Sequence, residues 1–261
     1  DKETTMIELS ITHNVAEIVL NAPQKMNALN EEALEKLSQA YDDAAVANVR
    51  ALVLRGEGRG FCAGRDITGL TPTTDDAYDY LANKVTPLLH KMAAFSAPTF
   101  AAVQGACLGV GLGLAIATDV VYVAENAKIG SPFANLGATL DSGGHSLFVE
   151  RLGTHRALDL IYTAELMSGE EAVRAGLFSR ALPAEDILDF TRATASKVAT
   201  GATGAFMASK ELVQRVRDER MGLWESIELE NQAQGKLCSS ADYAEGFAAF
   251  NEKRKPVFKG K

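Results

Sequence analysis

The chain has 261 residues, 47% of them apolar and 23% charged, with a formal net charge of −8. That length can bury a full core without disulfide or metal staples. The charge offers no basic footprint for nucleic acid or an anionic membrane, so an anionic ligand has to be held by a few placed donors.

The first twenty residues alternate apolar and polar (Ile7, Leu9, Ile11, then Val15, Ile18, Leu20) around Thr12-His13-Asn14, which predicts a strand hairpin. Asn30-Glu31-Glu32 is a capping signal for a helix to about Val46, with Leu34, Leu37 and Tyr41 on one face. Ala51–Leu54 reads as a buried strand, followed by the turn-rich Gly56-Glu57-Gly58-Arg59-Gly60. A helix near 76–94 precedes Pro98 and the strand Thr99–Val103, and a short apolar helix is expected over Leu112–Ala117. Strand and helix alternate to about residue 182, the pattern of an α/β fold. Beyond Ala184 the spacing turns wholly helical, with segments near 185–199, 203–217, 221–235 and 239–252. The expected division is an α/β core over 1–184 and a helical C-terminal region over 185–261.

Cys62, Cys107 and Cys238 show no paired spacing, and His13, His90, His145 and His155 are scattered, so neither a disulfide framework nor a metal site is expected. A reduced, cytoplasmic setting follows. No apolar run reaches ~18 residues free of turn signals. The start, Asp1 to Thr5, lacks the charged-then-apolar pattern of a secretion signal. The reading is of a soluble protein with no membrane and no nucleic-acid partner.

Four segments carry a family likeness. They are Asn21-Ala22-Pro23-Gln24-Lys25-Met26-Asn27-Ala28-Leu29-Asn30, Gly60-Phe61-Cys62-Ala63-Gly64-Arg65-Asp66-Ile67, Val103–Gly113 with Ala117-Thr118-Asp119, and Asp242–Phe250. Their order and content resemble the crotonase superfamily of enoyl-CoA hydratases and isomerases. The resemblance implies a spiral of ββα units with a helical C-terminal oligomerisation region, in a homotrimer or dimer of trimers. It also implies an acyl-CoA thioester as substrate, with no cofactor beyond the coenzyme A that the substrate carries.

The chemistry such motifs serve can be stated independently. Reactions beside a thioester carbonyl pass through an enolate, and two backbone N–H groups aimed at the oxygen stabilise it. Losing one such donor typically costs ~2.7–4 kcal/mol in catalysis. Gly109-Val110-Gly111 ahead of an apolar helix lets a ligand approach free N–H groups at a helix N-terminus. Alone, the run equally suits tight helix packing; with Phe61–Asp66 upstream, the resemblance assigns the two donors to Arg65 and Val110. By the same resemblance Lys25 meets coenzyme A phosphates, though a solvated surface lysine has the same sequence. By the same resemblance Ala63 and Asp66 correspond to positions that meet the adenine end through backbone atoms, with Asp66 holding the loop. Phe250 and Lys253 correspond to the C-terminal helix that closes the pocket, with core packing the alternative for Phe250.

Water addition needs a base and an acid. Where family hydratases carry their two glutamates, this chain has Gly113 and Phe133, and neither moves a proton. Asp141, in Asn135–Gly144, matches the aspartate of dienoyl-CoA and 1,2-epoxyphenylacetyl-CoA isomerases, the segment Phe133–Gly144 resembling the latter most. A desolvated Asp141 beside Phe133 suits a base that takes a proton and returns it elsewhere; a cap for the helix near Gly144 is the alternative. The expected activity is therefore isomerisation. Three rivals stay open: a hydratase-like enzyme, a 4-chlorobenzoyl-CoA dehalogenase-like enzyme and an inactive acyl-CoA binder. Against the dehalogenase stand Thr86 and Phe133, where it needs a histidine and a tryptophan, although His90 lies one turn from Thr86.

Overall fold

The computed structural model describes residues 5–261; Asp1 to Thr4, part of the N-terminal segment read above, lie outside the described residues. The hairpin is present. Strands β1 (Ile7–Thr12) and β2 (Val15–Leu20) pair antiparallel across His13 and Asn14, with φ of 50° and 64°. Two left-handed central residues are what a tight hairpin turn requires. Helix α1 (Glu31–Val46) starts where Asn30 accepts from the Ala33 N–H at 2.8 Å, with Glu31 and Glu32 favourably placed in its first turn. It buries Leu34, Leu37 and Tyr41.

Strand β3 (Ala51–Gly56) follows, then a helix in three parts: α2 (Ala77–Asp79), a π-helical stretch Tyr80–Val85, and α3 (Thr86–Ala93). Next come β4 (Thr99–Val103), β5 (Ala106–Leu108) and α4 (Val110–Ile116), which begins ahead of the expected Leu112. Strands β6 (Val120–Ala124) and β7 (Lys128–Gly130) lead to α5 (Gly144–Leu152) and α6 (Thr154–Thr163). Then β8 (Met167–Ser168), α7 (Gly169–Arg174) and β9 (Arg180–Leu182) close the alternating part. The rest is helical: α8 (Ile187–Ala199), α9 (Thr203–Asp218), α10 (Leu223–Leu237) and α11 (Ala241–Asn251).

The strands form a six-stranded sheet, β1-β2-β3-β4-β6-β9, parallel except for β1, and a three-stranded sheet, β5-β7-β8. Each turn of the spiral gives one strand to the main sheet and the next to the small one. An isolated bridge between Cys62 and Cys107 extends the small sheet to the segment after β3. Leu52, Val53, Leu54, Ala101, Val103 and Val123 are fully buried in the main sheet, the continuous apolar pattern of parallel strands covered on both faces.

Helix α8 lies on this sheet, against β3, β4 and β6, with Ile187, Thr191, Ala195 and Ala199 buried and Phe190 edge-on to Tyr122 at 5.0 Å. Residues 187–199 thus belong to the packing of the core, although their sequence pattern groups them with the later helices. Helix α9 is fastened through Lys210, which donates to the carbonyls of Phe95 and Ala97 and pairs with Asp119 at 3.0 Å, and through Gln214 to the Ala93 carbonyl. Beyond it Leu223, Trp224, Phe247 and Phe250 stand exposed. Among the described residues no helix is long and apolar enough to cross a membrane.

Candidate active site

Two loops meet at the carboxyl ends of β3 and β4. Asn27 ties the first of them together. Its side chain donates to the carbonyls of Glu57, Gly60 and Phe61 and accepts from the Ala22 N–H, and it is 2% exposed. The loop is then stitched to its neighbour by Phe61 N–H to Gln104 O (2.7 Å), Cys62 N–H to Ala106 O (2.9 Å) and Leu108 N–H to Cys62 O (3.0 Å). Side chains are excluded from this junction. A Cβ on Gly111 would sit 2.3 Å from the Cys62 carbonyl oxygen, and one on Gly64 would sit 2.9 Å from Leu108 O and 3.6 Å from Val110 N. Burial pushes the Cys62 thiol up to about 12 and the Cys107 thiol up as well, so both stay neutral and unreactive.

The junction brings Arg65 and Val110 together as possible donors. Leu29 bonds to both neighbours of Arg65 (Leu29 N–H to Gly64 O and Asp66 N–H to Leu29 O, each 2.8 Å), so the Arg65 N–H faces away from that strand. Val110 opens α4 directly after Gly109, whose φ of 55° and ψ of −118° only glycine adopts easily. First-turn N–H groups have no intrahelical acceptor. Among the described residues, neither the Arg65 nor the Val110 N–H donates to another protein group. Phe133 covers this corner: a Cβ on Gly109 would lie 2.5 Å from its ring.

Asp141 stands on the adjoining loop, half-buried. Ser142 Oγ donates to its Oδ1 at 2.7 Å. Burial pushes the carboxyl above its ordinary range, while the Ser142 hydroxyl, Arg65 and His145 each oppose that shift. The capping alternative is not what the helix uses: the α5 N-cap is Gly143 at φ 95°, with no side-chain cap bond. Gly113 is also more than a missing glutamate. A Cβ there would lie 2.5 Å from Ser142 Cβ and 2.9 Å from Ser142 O, so the Asp141 loop occupies the space where a side chain would begin.

The Arg65 side chain has its own place. It makes two bonds to Asp75, at 2.7 and 2.8 Å, and stacks 4.1 Å above the Tyr80 ring. Tyr80 is 3% exposed and donates its hydroxyl to Leu29 O at 3.0 Å; burial drives its phenol well above the usual range. Lys25 is paired with Asp66 at 2.9 Å, and Asp66 also accepts from the Thr68 N–H, which together hold its carboxyl at about 2. Ala63 bonds to Met26 O at 2.9 Å. Phe250 is 82% exposed, not packed in the core, and lines an apolar groove of about 540 Å³ with Tyr243, Phe247 and Phe258. Lys253, also exposed, follows α11 with φ 53°.

A larger cavity of about 820 Å³ lies between α3, α4, α5 and α9. Its wall includes Thr86 and His90 but neither Arg65 nor Val110, and it meets the corner only through Gly113 and Ser142. Asn27, Asp75, Tyr80 and Ser142 were not singled out from the sequence. Asn27 and Ser142 lie within segments the sequence reading covers; Asp75 and Tyr80 gain meaning only from their contacts with Arg65 and Leu29.

Residues 10–261 match the enoyl-CoA hydratase/isomerase family model, and the chain belongs to that family. A probable enoyl-CoA hydratase of Rhodobacter capsulatus is 36% identical, with 98% of each chain covered. The 1,2-epoxyphenylacetyl-CoA isomerase of Escherichia coli is 32% identical, over 98% of this chain and 100% of that one. The solved enoyl-CoA hydratase of Bacillus anthracis superposes with a TM-score of 0.89 at 28% identity, covering 98% and 100% of the two chains. The expected superfamily and its mixed α/β fold are thereby established.

Proposed function

We propose that the chain is an acyl-CoA isomerase. In this reading the thioester oxygen lies between the N–H groups of Arg65 and Val110. Asp141 removes a proton from the α- or γ-carbon, and the enolate is reprotonated elsewhere along the acyl chain. Lys25, Ala63 and Asp66 lie along the coenzyme A, with Lys25 exchanging its Asp66 partner for phosphate. Phe250 and Lys253 close the site from a neighbouring subunit of a homotrimer or dimer of trimers, which would also cover Leu223 and Trp224. The reaction calls for no cofactor beyond the substrate's own coenzyme A, and a cytoplasmic setting suits it.

The observation that carries the reading is the state of Asp141: half-buried, raised above the usual carboxylate range, one oxygen met by a hydroxyl and neither used by a helix end. A base that must work near neutral pH benefits from such a shift. Hydration would need a second proton-transfer group, and Gly113 and Phe133 supply none. Relatives named as hydratases favour that activity on similarity alone, so the test sets the two against each other. The protein is incubated in D2O with 3-hexenoyl-CoA and, separately, with crotonyl-CoA. The expected result is double-bond migration in the first, with solvent deuterium entering at the γ-carbon where the enolate is reprotonated, and negligible hydration of the second. Hydration of crotonyl-CoA at rates typical of enzymes, ~1–10³ per second, would overturn the reading; binding of both thioesters without exchange or hydration would favour an inactive acyl-CoA binder.

A further inference from the structure

We propose that Ser142 is a positioning residue that holds the Asp141 carboxylate through one oxygen and leaves the other for proton transfer; this rests on the reading of Asp141 as base. Three independent features converge on it. Ser142 adopts φ 54° and Gly143 φ 95°, so the chain makes two successive left-handed residues after Asp141. A serine in that region is strained, and such strain persists where the surroundings require it. The turn brings the Ser142 hydroxyl back onto the preceding residue, where it donates to Asp141 Oδ1 at 2.7 Å. Charge-assisted O–H···O contacts of that length are strong and directional. Finally, Ser142 is locked from behind, because its Cβ and carbonyl oxygen fill the space that any side chain at Gly113 would enter.

The bare backbone at position 113 and the conformation of Ser142 are therefore sterically linked. A glutamate at 113 and this serine conformation exclude each other. The charged and titratable groups facing the carboxylate are Arg65 and His145, which stabilise its ionised form, and the Tyr80 phenol, which Asp141 itself pushes upward. The Ser142 hydroxyl is the largest of the influences that oppose the effect of burial. Removing it leaves desolvation less opposed, and the carboxyl titrates higher.

The test uses Ser142→Ala and Ser142→Gly in the full-length protein, with Asp141→Asn as reference. Deuterium entry during the isomerisation of 3-hexenoyl-CoA is followed against pH, and the Asp141 carboxyl is titrated by 13C NMR without ligand. Both Ser142 variants are expected to lose about 10- to 100-fold in kcat, the effect of a lost hydrogen bond to a charged group, with KM little changed. The acidic limb of the kcat profile and the NMR titration should both move to higher pH. Ser142→Gly relieves the left-handed strain, so its Tm should match or exceed the wild type while activity still falls. A purely structural serine gives wild-type kcat and an unmoved titration in Ser142→Gly, and that result overturns the inference. If Asp141→Asn retains full exchange, the proposed base is wrong instead, and the NMR titration alone then decides whether Ser142 holds the carboxylate.

Discussion

The donor corner and the base loop lie side by side yet are built on opposite terms. The corner, from Gly60 to Asp66 and from Gln104 to Gly113, consists of backbone groups crossing so closely that an added methyl at Gly111 would meet a carbonyl at 2.3 Å. The base loop, from Phe133 to Gly144, is largely exposed, and the chemistry proposed for it rests on the single side chain of Asp141. The first arrangement tolerates almost no change, because close-packed interiors transmit any added volume into strain. The second can exchange one proton-transfer group for another without disturbing the fold. Stabilising the charge and choosing the proton's destination are thus separable tasks.

The sharpest way to break this comparison is Asp141→Asn. Turnover should fall by ~10²–10⁴-fold, the effect of a lost general base, while the fold stays intact. A carboxyl whose folded pKa is raised above its unfolded one favours folding below the unfolded value, and that advantage is lost as pH rises through the folded value. At neutral pH the charged, desolvated Asp141 therefore weakens the fold, and Asp141→Asn should melt at or above the wild-type temperature. A helix cap would show the reverse, a loss of ~1 kcal/mol in Asp141→Ala with turnover little changed.

Gly111→Ala tests the other side. Overpacking at this junction should destabilise by about 1–3 kcal/mol or more in urea titrations, and because the crossing splays, exchange activity should fall with it. Gly113→Glu carries the comparison between the two regions. It should lose stability by a similar ~1–3 kcal/mol and gain no crotonyl-CoA hydration, since Ser142 already fills the entry to that position. In the wild type, turnover should climb with pH as Asp141 ionises, with its midpoint above the ordinary carboxylate value of ~3.9.

The smallest effect is expected at Lys25. Its pair with Asp66 is partly exposed, so Lys25→Ala should change stability by only ~0–1 kcal/mol. Affinity for coenzyme A, read by calorimetry, should drop severalfold with kcat preserved. Asp66, held at about 2, contributes stability that is present above the unfolded carboxylate value and lost as pH falls towards 2. In Lys25→Ala that contribution should be smaller and its loss complete at a higher pH.

Much of this was legible in the sequence because the signals were local. The hairpin, the Asn30 cap and the buried β3 and β4 each follow from a few neighbouring residues, and the glycines at 109 and 111 marked the junction they make possible. What stayed hidden depends on contacts between distant segments. The clamp of Asp75 on Arg65 and the stack on Tyr80 join the Arg65 loop to the segment around the start of the next helix, for which the apolar spacing gives no cue. Ser142 in a left-handed turn contradicts its own conformational preference, so a local reading passes over it in favour of the aspartate beside it. The packing of α8 on the sheet was hidden for a related reason: an amphipathic helix shows that it has a buried face, not what that face covers.

The donor corner has a consequence for genetics. Its two proposed donor atoms belong to the main chain, so replacing the side chain of Val110 or Arg65 leaves the N–H groups in place, although Arg65 also carries the Asp75 pair and the Tyr80 stack. An alanine scan would report on those side chains and not on the proposed donor atoms themselves. Harmful variants should instead gather at Gly64, Gly109 and Gly111 and at the Asn27 knot, outlining the functional atoms by the residues around them.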